Sequence, residues 1–441
     1  MIRSPRSHWA AAAATVAVAL TATACGSDGD AGAADDESGG SVETLSVMSR
    51  WTAGTPEYDV LQSVIEAYTE ETGTAVELID GGEDIDVTFE TAVAAGQSPD
   101  VVVVNLFDKS LGWLDAGVTV PVDDYLSEWG LEDKISEQAV QEWRVGQSVD
   151  GALQGFPYSG FSWPVWYNTE LLAAAGVDEV PTTVDDLLAT TEALSAAGTP
   201  PMIVGGSDWS GQKLFFQIIQ TYMDTEEAQT LFSDGGYCDS DAALQGIELF
   251  VQLRDAGLFV DNVAGLTADD MNNTYFSGGA AMMPAGSWAF APALAADEET
   301  GGTVVDSTEL AGFPVPAGEG TFDEPTVYQG FTGVGFMLTP DGVAEDRIGA
   351  SRSFIETFMQ DDVVSQFVAE ANFLTPIAGD YAADATNPLL EEALQLDGVA
   401  PAVLPDVWLG VNSDPVTQVS TLAYGDADAQ AVCSGLDSAT S

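Results

Sequence analysis

Ten tryptophans in 441 residues are the first sign of chemistry in this chain. Trp51, Trp163, Trp209 and Trp288 fall where chain direction or composition changes, as do Trp166 and Trp408. A sugar ring has an apolar face and a rim of hydroxyls. A flat indole flanked by carboxylates and amides therefore matches it in shape and in hydrogen bonding. Core packing accounts for any one tryptophan equally well, and Trp113 and Trp129, in apolar helical or turn settings, read as structural.

Other chemistries find no residues. The single histidine, His8, lies in an N-terminal leader, so a processed chain has none. Histidine triads, histidine metal sites and histidine general bases are excluded with it. Neither a G-x-x-x-x-G-K-[ST] phosphate loop nor a G-x-G-x-x-G fingerprint occurs, so no nucleotide cofactor is expected. The acidic stretch 80–90 fails as a calcium loop, because Gly82 occupies a ligand position and Ile85 the place of the required glycine. No metal is expected there. Glycoside hydrolysis needs only two carboxylates, and composition leaves it open. With 71 acidic residues, however, the sequence offers no way to choose a pair.

The leader locates the protein. Arg3 and Arg6 precede an apolar stretch at 9–20, followed by Ala22-Thr23-Ala24-Cys25. A basic start, a short apolar core and small residues before the cut form an export signal, here over 1–24. The core is shorter than the ~20 residues of a spanning helix. Cys25 is the expected lipidation site, and residues 25–42, rich in Gly, Ala, Ser and acids, form a flexible tether to the outer face of the membrane. Net charge is −61, and loss of Arg3 and Arg6 leaves eight basic side chains. Such a field repels nucleic acid and anionic lipid. A polyamine ligand is an alternative, but the acids are spread along every segment, as in a surface adapted to salt. Cys238 and Cys433 are either bridged or two unrelated buried thiols, since a bond needs Cα atoms within ~7 Å.

Positioning elements follow from periodicity. Residues 44–49 and 75–79 read as strands, with a helix between carrying Val60, Leu61, Val64, Ile65 and Tyr68 on one face. The run Val101-Val102-Val103-Val104 reads as a strand buried on both faces, after a helix at 87–95. Alternating strands and helices predict an α/β layer whose ligands sit beyond the carboxyl ends of the strands, at Arg50-Trp51 and Asn105 to Asp108. Helices are expected at 169–175, from 183 with Thr183 as N-cap, at 242–256 and at 344–358, and a strand at 333–338.

Three segments resemble the sugar-type extracellular solute-binding proteins of ABC importers, a family related to maltose-binding protein. They are Gly155-Phe156-Pro157-Tyr158 leading to Tyr167-Asn168 and a helix; Phe276 to Met283, matching F-x-x-G-x-A-A-M, followed by Gly286-Ser287-Trp288; and Ser98-Pro99-Asp100 before the buried strand. The resemblance implies a two-lobed fold of the periplasmic-binding-protein type II class, with a ligand cleft between discontinuous lobes. Residues 43–160 with 289–359 would form lobe 1 and 161–288 with 360–441 lobe 2, crossing near 158–163, 284–290 and 357–365. It implies that Trp51 and Asp108 line one wall, that Trp163, Trp209 and Trp288 offer stacking surfaces, and that Tyr328 and Gln329 supply polar contacts. The implied role is that of a monomeric carrier without enzymatic activity, delivering a neutral sugar to permease subunits that work with their own ATPase. A lipid-anchored glycoside hydrolase is the alternative.

Overall fold

The computed structural model describes residues 44–82, 84–106, 108–144 and 151–440, without the side chains of residues 108, 109 and 411. Cys25 and the leader lie outside the described residues. Among the described residues no helix is long and apolar enough to cross a membrane.

The strands are β1 (Thr44–Ser49), β2 (Ala75–Asp80), β3 (Val101–Asn105), β4 (Phe156–Pro157), β5 (Phe161–Trp163), β6 (Val165–Asn168), β7 (Met282–Pro284), β8 (Thr308–Ala311), β9 (Val327–Gly330), β10 (Val334–Leu338) and β11 (Ala402–Val403). They form three sheets, ordered β2-β1-β3-β10-β4, β11-β9-β5 and β7-β6-β8.

In the first sheet β1, β2 and β3 are parallel, and β10 enters antiparallel between β3 and β4. Val101 to Val104 are fully buried, as a continuous apolar run requires. The helix Pro56–Thr72 shows why the local signals suffice there. Thr55 accepts from the Tyr58 amide, Pro56 fills the first turn, and Gly73 closes the helix at φ 76° with its N–H on the Thr69 carbonyl. Ser98-Pro99-Asp100 also has a physical reason. The Asp100 carboxylate accepts from the Ser46 amide at 2.7 Å and pairs with Arg347, joining β1, β3 and the helix Ile348–Phe358.

The second half holds the two smaller sheets. β5 and β6 follow one another yet belong to different sheets, parting at Pro164, which has no N–H to continue a ladder. Helices Trp209–Ile219, Asp241–Asp255, Ser413–Tyr424 and Ala429–Ala439 pack together behind them. Cys238 and Cys433 form a disulfide with Cα atoms 5.1 Å apart, tying the last helix to the loop before Asp241.

β8 lies beside β6. This short strand completes the β6-β7 sheet. The helix Asp361–Ala371 packs on Pro56–Thr72 in the first half. Its buried face carries Val364, Phe367 and Val368.

Candidate functional site

Three tryptophans from separate elements meet in one cluster. Trp163 is the last residue of β5 and is fully buried. Its ring centroid lies 5.7 Å from Trp209 and 5.1 Å from Trp288, and Trp209 and Trp288 are 5.6 Å apart, at mutual inclinations of 50–70°. Trp209 and Trp288 remain 43% and 42% exposed, the only aromatic residues among the exposed large hydrophobics of the described residues. Buried Trp163 thus supports two half-exposed rings.

Each ring is set by its local sequence. Asp208 caps the helix Trp209–Ile219, accepting from the Ser210 amide at 2.9 Å and the Ala268 amide at 2.7 Å, so Trp209 emerges at a fixed helix start. Trp288 lies directly over the backbone of Gly286, where an added Cβ would come within 2.3 Å of the ring. The Gly-x-Trp spacing is therefore a seat for the indole.

The wall continues through Phe161, 6.3 Å from Trp288 and 5.7 Å from Tyr328. Against it sits the ammonium group of Lys213, 4.8 Å from the Tyr328 centroid, 5.3 Å from Phe161 and 5.9 Å from Trp209. Lys213 Nζ also donates to both carboxylate oxygens of Asp406, at 2.9 Å each. Asp406 accepts further from the Gln212 amide at 3.3 Å, and its own N–H donates to the Tyr328 hydroxyl oxygen. Burial, then the Asp406 carboxylate, raises the Tyr328 phenol well above its ordinary range. It stays neutral at any working pH.

The expected residues thus divide. Trp163, Trp209, Trp288 and Tyr328 come together, Tyr328 as a buried support whose hydroxyl is already engaged. Gln329 alternates to the other strand face and lines a cavity of about 300 Å³ with Gln138, Leu374, Thr375 and Asp397. Trp51 is only 7% exposed and packs on Phe367 and Phe373 at 5.3 and 5.6 Å, as core. Asp108 opens the short helix Asp108–Leu111, which lies against Asp406–Asn412, but its side chain is outside the described residues. Phe161, Lys213 and Asp406 were not anticipated. Phe161 carried a signal in its two-residue spacing from Trp163, and Lys213 in its four-residue helical spacing from Trp209. Asp406 carried none.

Among the described residues no group of three or more His, Cys, Asp or Glu side chains is placed to hold a metal ion. The arrangement offers two half-exposed aromatic rings beside a neutralised ion pair. That suits capture of a ligand with apolar ring faces.

Comparison with known proteins identifies the family and the fold. The profile of the family described as bacterial extracellular solute-binding protein matches residues 52–338. A probable secreted solute-binding lipoprotein from Streptomyces coelicolor is 35% identical, with a TM-score of 0.78 over 90% of this chain and 98% of that one. A chitin oligosaccharide binding protein shares the fold at 24% identity and a TM-score of 0.76, over 91% and 98% of the two chains. A probable sugar-binding periplasmic protein of Rhizobium meliloti is 28% identical over 181 residues, 40% of this chain. That match spans 42% of the relative's own length. The fold is the type II periplasmic-binding class, and these are binding proteins rather than enzymes.

Proposed function

The chain belongs to the bacterial extracellular solute-binding protein family, and from that premise we propose that it is the substrate-binding component of an ABC importer for a neutral sugar or oligosaccharide. The observation that carries this reading is the pair of half-exposed rings, Trp209 and Trp288, backed by buried Trp163. An exposed apolar pair of this size costs solvation unless a ligand covers it. The sugar-binding relative and the chitin oligosaccharide binding protein support the choice of ligand class. The hydrolase alternative finds no support in a family of binding proteins.

On this reading residues 44–157 with 334–371 form one lobe and 161–330 with 388–440 the other, as the strand pairing suggests. Ligand stacks on the aromatic wall, the lobes close about 157–161, 330–334 and the stretch after 371, and the closed form docks on the permease. The monomeric protein is held outside the membrane by a lipid on Cys25.

A thermal-shift screen at high salt, against mono- and oligosaccharides with polyamines as controls, tests the ligand class. A ligand that binds only the folded state raises Tm by mass action. A rise for one sugar class supports the reading. Silence across sugars with a rise for polyamines refutes it.

A further inference from the structure

Eight basic side chains remain once the leader is gone, and one of them, Lys213, is spent on the aromatic wall. Its surroundings have a definite chemistry. Phe161, Trp209 and Tyr328 present rings at 4.8 to 5.9 Å around the ammonium, and the Asp406 carboxylate takes two of its three donors. Aromatic rings around a cation, closed by a carboxylate, are what a protein builds to hold a ligand's ammonium group. Here the chain fills that place with its own side chain. The Lys213 and Asp406 side chains are only 12% and 16% exposed, so neither charge is free to be recruited without stranding its partner.

We propose that the Lys213–Asp406 pair is a charge filter that restricts the wall to uncharged sugars. The inference rests on the sugar-binding reading and deepens it. An amino sugar approaching Trp209 meets a cage already occupied by a like charge. A uronic acid meets a lysine whose charge is cancelled, together with a carboxylate of its own sign. A neutral ring stacks on Trp209 and Trp288 without disturbing the pair. The charge class of the ligand is therefore set by two residues 193 positions apart in sequence, on the helix Trp209–Ile219 and in the segment Asp406–Asn412.

The filter is tested by calorimetric titration of the full chain with neutral gluco-, xylo- and chito-oligosaccharides, cationic glucosamine oligomers and anionic oligogalacturonides. The wild-type protein binds a neutral series at least tenfold more tightly than either charged one. Lys213→Ala empties the cage and leaves Asp406, so glucosamine oligomers gain at least tenfold relative to neutral sugars. Asp406→Asn frees the lysine, so oligogalacturonides gain by a similar factor. A third readout needs no sugar. n-Butylammonium chloride raises the Tm of Lys213→Ala above that in sodium chloride of equal ionic strength, and has no such effect on the wild type. If Lys213→Ala fails to fold with or without the amine, the Asp406→Asn titration decides alone. Neutral binding with unchanged selectivity in the variants, or wild-type binding of charged and neutral series alike, overturns the filter and leaves the sugar-binding reading standing. Binding of none of these sugars by the wild type overturns both.

Discussion

Ser162 on β5 donates its hydroxyl hydrogen across 2.7 Å to the carboxylate of Asp397, the last residue of the helix Pro388–Asp397. Burial is the main influence on that carboxylate, raising its pKa to about 7, with the Ser162 bond opposing the rise. The negative end of the helix is a further unfavourable place for an anion. Unfolded aspartate titrates near 3.9. The folded state therefore holds a proton that the unfolded state has lost between about pH 4 and 7. Stability contributed by the protonated group is full below the unfolded pKa and is lost as pH rises through 7. Asp397→Asn should be nearly neutral at pH 4 and stabilising at pH 8, on the order of a few kcal/mol. Denaturant melts of both proteins across this range check it. Parallel pH profiles would mean that the carboxylate titrates normally.

Trp288 and Trp163 should separate binding from stability. Trp288→Ala removes a half-exposed ring, so it should weaken ligand binding by about 1 kcal/mol or more, roughly fivefold in Kd, with little change in Tm. Trp163→Ala empties a fully buried site and should cost about 3–5 kcal/mol of stability. Titration and melting of the two variants read both outcomes, and unchanged affinity in Trp288→Ala would return that ring to a packing role.

Gly286→Ala offers a subtler probe. The new methyl meets the Trp288 ring, not backbone, so the indole must swing off its seat. Affinity should fall several-fold while the melting transition stays cooperative. Equal affinity would show that the seat is not needed.

Reduction of the Cys238–Cys433 bond opens a constraint across 195 residues of sequence. By chain entropy such a loop is worth about 5 kcal/mol. The Cys238→Ser, Cys433→Ser protein should melt well below the wild type. Its ligand affinity should be preserved, since neither cysteine touches the aromatic wall.

The net charge of −61 predicts salt-dependent folding. Self-repulsion is largely screened once the Debye length shrinks to ~3 Å at 1 M. Tm should climb from dilute buffer to molar NaCl, and a flat profile would refute a surface adapted to salt.

Local signals wrote much of this structure into the sequence. The helix Pro56–Thr72 follows from its own Thr, Pro and Gly, and the helix Val184–Ala197 from Thr183, which accepts from the Asp186 amide. Trp288 was legible because Gly286 stands beside it in sequence as in space. The setting of Trp51 was not legible, because its covering rings, Phe367 in the helix Asp361–Ala371 and Phe373 just beyond it, lie more than 300 residues away, and nothing local distinguishes a covered tryptophan from an open one. β8 escaped notice for a related reason. Four residues are too few to show alternation, and its place beside β6 is decided by pairing alone. Lys213 and Asp406 each look like ordinary surface charges until the fold brings them together.

The position of β10 governs when the molecule can become itself. It is the wedge between β3 and β4, so β3 keeps a bare edge until residue 338 has been delivered. The second half waits longer, for helices ending at Ala439 to close over Trp209–Ile219 and Asp241–Asp255. A chain interleaved in this way has no early resting place, and its long-range pairings make folding slow. Its final shape arrives late, only when the last helix has been added.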